Sequence, residues 1–259
     1  MKTLVVATHK GGVGKTTTVV NLAQYFAERG QKVVVIDLDP QEHSSFALQG
    51  YASGVTADQL FGPISHDQLP SAPVAGDDGA APIVLISAAP ELADLEKHLS
   101  DDEAGENLSA SIAALAEKGF DVCLMDTSPW LGTMMATALY VSDYVLSPFE
   151  PELFSILGIA KMQDIISRIG SVNPRLQNLG LVPTRVDRRN PRHVKHLDDL
   201  TAEHPGLVLP TAIGLRTSIP EAIHEGVPVW KMRKTTARTA AREIRALADY
   251  IFEKMELQA

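Results

Sequence analysis

Residues 10–17 read Lys10-Gly11-Gly12-Val13-Gly14-Lys15-Thr16-Thr17. The apolar run Leu4-Val5-Val6-Ala7 precedes them. Val19, Leu22, Ala23, Phe26 and Ala27 follow at the spacing of one helix face. Strand, glycine-rich loop and helix is the setting in which such a loop cradles phosphate. Gly11, Gly12 and Gly14 let backbone N–H groups turn inward around an anion, and Val13 and Thr17 share that cradle. The helix N-terminus adds positive potential. Lys15 is placed to reach the β- and γ-phosphates of a nucleotide, and the Thr16 hydroxyl to bind Mg²⁺.

The rest of the chain fits a nucleotide-binding α/β protein. Its 259 residues suit one large domain over 1–259 with a sizeable core. Aromatics make up only 5% of the chain, and aliphatic residues dominate, as in a parallel sheet buried by helices. Apolar strand patterns at 3–8, 31–36, 83–86, 120–126, 144–147, 178–183 and 207–209 alternate with helical patterns near 15–29, 90–99, 107–118, 152–169, 190–203, 218–225 and 234–256. This alternation predicts a mostly parallel twisted sheet with helices on both faces. Residues 50–82 read as a variable surface insertion, with a short helix near 56–61 and a loop rich in Pro, Gly, Ala and Asp.

Ligands in such sheets bind beyond the carboxyl ends of the strands. Asp37-Leu38-Asp39 and Asp126-Thr127-Ser128-Pro129 both fall there, beside the glycine loop. Asp126 closes an apolar strand and has the position of a carboxylate that holds Mg²⁺ through water, with help from Asp37. Strand-end aspartates also cap turns, and that role stays open for Asp126 and Asp39.

Lys10 makes the loop more specific. Lys-Gly-Gly-x-Gly-Lys-Thr-Thr is the deviant Walker A motif of the ParA/MinD family, and this sequence resembles a member over almost its whole length. Asp37-Leu-Asp-Pro-Gln41 matches the family's second motif, while Asp126-Thr-Ser-Pro129 departs from the usual Asp-Thr-Pro-Pro by one serine. The resemblance implies that Lys10 crosses a dimer interface to the partner's nucleotide and that Asp39 orients the attacking water. Residues 179–186 resemble the late strand whose end meets adenine. That places Thr184, where many relatives have asparagine, and Pro210 near the base.

The same resemblance implies an ATPase with ATP and Mg²⁺ as cofactors, closest to ParA-type partition proteins. It implies an ATP-dependent homodimer, non-specific DNA binding, and an adaptor, ParB-like or cargo-specific, that stimulates hydrolysis. The cargo is a plasmid, a chromosome origin or a protein assembly. The MinD-like alternative is a membrane positioner with a C-terminal amphipathic helix. Here 246–259 holds Ile251, Phe252, Met255 and Leu257 but also Asp249, Glu253 and Glu256, which suits docking on its own protein better. A metal-cluster carrier would need cysteine ligands, and Cys123 stands alone in an apolar run. The N-terminus runs straight into the loop and reads as no signal peptide, so the expected location is cytoplasmic, and with DNA binding nucleoid-associated. With no helix-turn-helix ahead of the loop, autoregulation through a specific operator is not expected.

Net charge is −9, so DNA contact must come from a local basic patch. One cluster is Arg185, Arg188, Arg189, Arg192 and Lys195, and another runs from Lys231 to Arg245. On a helix over 234–256, Lys234, Arg238, Arg242 and Arg245 fall within an arc of roughly 80°. Ala240, Ala241, Ile244, Leu247, Ala248 and Ile251 fill a separate arc of roughly 120°. The basic arc is the candidate DNA-binding face. His9 reads as a strand-end filler, and Trp130 either packs or belongs to a dimer contact.

Overall fold

Apolar residues alternate so strictly in the central strands that each strand feeds two layers. Leu4, Val6, Val33, Val35 and Leu124 point into one core. Val5, Ala7, Val34, Ile36, Cys123 and Met125 point into the other. A strand with both faces apolar must be covered on both sides. The computed structural model, which describes residues 1–73, 82–130 and 132–258, shows this arrangement.

The strands are β1 (Lys2–Val6), β2 (Val33–Leu38), β3 (Ala52–Thr56), β4 (Ile83–Ser87), β5 (Val122–Thr127), β6 (Tyr144–Phe149) and β7 (Gln177–Pro183). They form one sheet in the order β3-β4-β2-β5-β1-β6-β7. All pairings are parallel. The helices are α1 (Lys15–Glu28), α2 (His43–Ala47), α3 (Leu92–His98), α4 (Asp101–Glu117), α5 (Thr133–Val141), α6 (Leu153–Val172), α7 (Pro191–Glu203), α8 (Ser218–His224) and α9 (Ala237–Lys254). Helices α1, α8 and α9 cover one face, and α4 and α5 the other. The central place of β1, between β5 and β6, brings the ends of β1, β2 and β5 together in the crevice where such sheets bind ligands.

Several expectations change. The insertion expected over 50–82 contains a strand, β3, on the sheet edge, then 3-10 turns at Ala57–Phe61 and His66–Gln68. Residues 74–81 of the proline- and glycine-rich loop lie outside the described residues. Helices α2 and α5 were not legible from periodicity. Residues 207–209 form only an isolated bridge, Leu181 to Val208, beside β7. They approach so closely that a Cβ on Gly180, at φ 109°, would lie 2.3 Å from the Leu207 carbonyl oxygen. Only glycine fits there.

Helix α9 starts at Ala237, not at 234. Lys234 therefore precedes it and pairs with Glu221 at 2.9 Å. The apolar arc of α9 does pack on the sheet layer: Ala240, Ile244, Leu247, Ala248 and Ile251 are buried, and Ala241 partly so. Phe252 meets Phe26 edge to face at 5.7 Å, and Met255 is fully buried. The apolar residues of the tail are thus docked on the protein itself, which removes the face a lipid-binding helix would need. No helix among the described residues is long and apolar enough to cross a membrane.

Candidate nucleotide site

The glycine loop turns as its composition predicts. Gly12 and Gly14 adopt φ of 75° and 93°, in the left-handed region. Gly11, Gly12, Gly14 and Lys15 through Thr18 line a cavity of about 660 Å³. Asp39, Thr184 and Ile213 to Arg216 line it too. Val13 and Pro210 do not line it. Val13 joins through its backbone: its carbonyl lies 2.5 Å from the Thr184 hydroxyl, which also reaches the Phe149 carbonyl at 3.0 Å. Thr184 thus ties the end of β7 to the phosphate loop. The second wall expected near Pro210 is supplied by 213–216.

Lys15 is almost fully buried, and its ammonium lies 3.3 Å from the Lys10 carbonyl. Burial holds its pKa below the usual lysine value, opposed by the charges of Asp126 and Asp39. A nucleotide's terminal phosphates would add counter-charge to the ammonium. Lys10 does not line the cavity, and its ammonium pairs with Glu152 at 3.0 Å.

Asp126 and Asp37 are neighbours across β5 and β2, and both are fully buried. Burial first, and the Asp37 charge second, push the Asp126 carboxyl up to about 7. Its Oδ2 accepts from the Thr16 hydroxyl at 2.7 Å and from the Ser44 hydroxyl at 2.5 Å. Its Oδ1 is buried and has no hydrogen-bond partner among the described residues. A buried acceptor left open beside a threonine hydroxyl is a hard-oxygen donor set that fits Mg²⁺. Asp37 is engaged otherwise. Its Oδ2 accepts from the Ser45 N–H and hydroxyl, and its Oδ1 from the Asp39 N–H. It holds residues 39–45 in place, so the open oxygen belongs to Asp126. Asp39 caps a turn by accepting from the Gln41 N–H at 3.0 Å, while also lining the cavity. Ser44 and Ser45 were missed in the sequence, where their only signal is a polar pair shortly after Asp37-Leu-Asp39.

The buried Nδ1 of His9 has no hydrogen-bond partner among the described residues, and Trp130 is 72% exposed, so it is not a packing residue. Of the basic arc, Arg238 and Arg242 are exposed and form no ion pair with described residues. Arg245 pairs with Glu28 at 3.1 Å and lies over the Trp230 ring.

A profile of the AAA domain family matches residues 1–178. Protein IncC of Escherichia coli is 53% identical over 258 residues, spanning 99% of this chain and 71% of IncC. The chromosome partitioning protein ParA of Caulobacter vibrioides is 31% identical over 237 residues, spanning 88% of this chain and 86% of ParA. The chain belongs to the ParA/MinD family. It is thus one of a family of P-loop ATPases that includes partition proteins. Among solved structures, apo McdA of Cyanothece shares the fold at TM-score 0.79 and 21% identity, covering 95% of this chain and 98% of that one. A cobyrinic acid a,c-diamide synthase from Mycobacterium smegmatis, with bound ATP analog and magnesium, matches at TM-score 0.76 and 27% identity. The two cover 99% and 96% of their chains. In this ParA/MinD chain, the geometry of Thr16 and Asp126 is the one that could hold a metal.

Proposed function

We propose that this protein is a ParA-like ATPase that uses ATP to switch a homodimer on and off DNA. One observation carries the reading. A phosphate loop preceded by Lys10 opens onto a single cavity that also receives Asp39, with the Thr16–Asp126 pair beneath it. The loop amides and Lys15 bind the phosphates. Thr16 and Asp126 would hold Mg²⁺, which would supply charge neutralisation for the phosphates. Asp39 orients the attacking water from the cavity wall. Lys10 leaves Glu152 to reach the partner's nucleotide, so two subunits close face to face.

The dimer binds duplex DNA without sequence preference through Arg238 and Arg242, exposed on α9, and hydrolysis releases it. An adaptor protein accelerates hydrolysis and links the cycle to a cargo in the cytoplasm, on the nucleoid. Fluorescence anisotropy on a labelled duplex tests this reading. Binding should require ATP and be absent with ADP. Equal binding with ATP, ADP and no nucleotide would overturn it.

A further inference from the structure

Glu243 lies on α9, outside the walls of the cavity, yet its carboxylate holds part of those walls. Its Oε2 accepts from the Gly214 N–H at 3.1 Å and from Arg216 Nε at 2.9 Å. Its Oε1 accepts from Arg216 Nη2 at 2.6 Å. This is a two-pronged arginine–carboxylate pair, the strong and orienting kind. The Arg216 guanidinium is drawn across Gly214 so closely that a Cβ on Gly214 would meet it at 3.1 to 3.2 Å. Both Gly214 and Arg216 line the cavity.

The other side of this loop is tied to the end of β7. The Ile213 N–H donates to the Pro183 carbonyl at 2.8 Å, and the Leu215 N–H to the Val186 carbonyl at 3.1 Å. With Gly214 N–H taken by Glu243, the N–H groups of residues 213, 214 and 215 are all used. The Ile213 carbonyl in turn accepts from the Val186 N–H at 3.1 Å. Among the described residues, the backbone groups of 213–215 left open are therefore the Gly214 and Leu215 carbonyls, an acceptor edge. Such an edge pairs with the exocyclic amino group of adenine and faces the 6-oxo group of guanine as acceptor against acceptor.

We infer that Glu243 is the positioning residue that fixes the 213–216 wall against the base end of the nucleotide and keeps it an acceptor surface. The inference rests on the nucleotide reading of the cavity. The phosphate loop takes the phosphates, so ribose and base extend along the other walls, which include Phe46, 184–185, 213–216 and, on α8, Ile219 and His224, and Glu243 acts on the 213–216 part of them. Removing the carboxylate frees a donor at Gly214 and releases the Arg216 side chain. Base contacts then weaken, while contacts to phosphate stay.

The test compares the full-length protein with Glu243→Ala, Glu243→Gln and Arg216→Ala by calorimetric titration with Mg²⁺. The ligands are ATP, GTP and tripolyphosphate, which has phosphates but no base. Glu243→Ala should weaken ATP by about tenfold, the worth of a charged hydrogen-bond pair. It should also shrink the preference for ATP over GTP and leave tripolyphosphate affinity unchanged. Arg216→Ala combined with Glu243→Ala should lose less than the sum of the two, since both act through one contact. Glu243→Gln keeps one acceptor and should fall between wild type and Glu243→Ala. Unchanged ATP affinity and ATP-to-GTP ratio in Glu243→Ala would overturn the inference, as would a parallel loss of ATP and tripolyphosphate. If Glu243→Ala does not fold, unchanged values in Glu243→Gln overturn it. A wild-type protein that binds tripolyphosphate but no nucleotide would instead refute the nucleotide reading itself.

Discussion

The Thr16 hydroxyl donates to Asp126 Oδ2 at 2.7 Å, joining the first turn of α1 to the end of β5 across 110 residues of sequence. Asp126 Oδ1 beside it is buried and open. Metal affinity should therefore depend on both residues together. Titration of a fluorescent ATP analogue with Mg²⁺ or with EDTA checks this. Wild type should bind more tightly with Mg²⁺, and Thr16→Ala and Asp126→Asn should each lose most of that difference. A Mg²⁺ effect of wild-type size in Asp126→Asn would place the metal elsewhere.

Asp126 also predicts a pH dependence of the metal-free protein. Burial and the Asp37 charge raise its carboxyl to about 7. Between about pH 4 and pH 7 the folded chain keeps a proton there that the unfolded chain has released. That stabilising contribution is complete below the unfolded value near 4 and is lost as pH rises through about 7. Asp37, whose pKa is raised mainly by burial, acts in the same direction. In EDTA, the urea midpoint of wild type should fall from pH 5 to pH 8 by more than that of Asp126→Asn. Equal slopes would show that Asp126 does not titrate in this range.

Lys15 and Asp39 should separate binding from turnover. Lys15 carries a buried charge to which no carboxylate among the described residues is bonded, so Lys15→Ala should abolish ATP binding. Asp39 stands on the cavity wall, and Asp39→Ala should keep ATP but lose hydrolysis. Analogue binding and phosphate release measure the two. Turnover at the wild-type rate in Asp39→Ala would remove it from the water-orienting role.

Arg238 and Arg242 are the two cations of the basic arc without an ion pair to a described residue, so they should carry most of the DNA contact. Arg238→Glu with Arg242→Glu should weaken binding to unrelated duplexes equally. The slope of log K against log salt should fall by about 0.9 for each lost phosphate contact. An anisotropy salt series with ATP measures it. An unchanged slope would move the contact to the cluster around Arg188 and Arg192.

Local pattern made much of this fold legible. Lys10 to Thr17 announced the loop, and the apolar run before Asp126 announced β5. The arc from Ala240 to Ile251 named the buried face of α9, because 3.6-residue periodicity is a local signal. Polar, part-exposed β3 carries no such signal, being an edge strand with one neighbour. Residues 207–209 look like a strand, yet the close approach at Gly180 reduces them to a bridge. Lys234 fell off the helix because the chain turns before Ala237.

In the site, the loop and carboxylates were legible, but their supports were not. Ser44 reaches Asp126 across 82 residues, Thr184 reaches Val13 across 171, and Glu243 reaches Gly214 across 29. Such contacts are set by the fold and leave no spacing to read. Pro210 reads as the start of a second segment near the base, and the cavity is lined by 213–216, three residues further on.

ATP should join two subunits through Lys10. Multi-angle light scattering of Asp39→Ala, which should bind ATP without consuming it, tests this most directly. With Mg²⁺ and ATP the mass should rise from the 27.9 kDa of one chain to twice that value. It should return to one chain with ADP, and the combined Lys10→Ala, Asp39→Ala protein should dimerise weakly or not at all. A single-chain mass with ATP bound, or a dimer that forms equally with ADP or without Lys10, would rule out an ATP-gated dimer closed by Lys10.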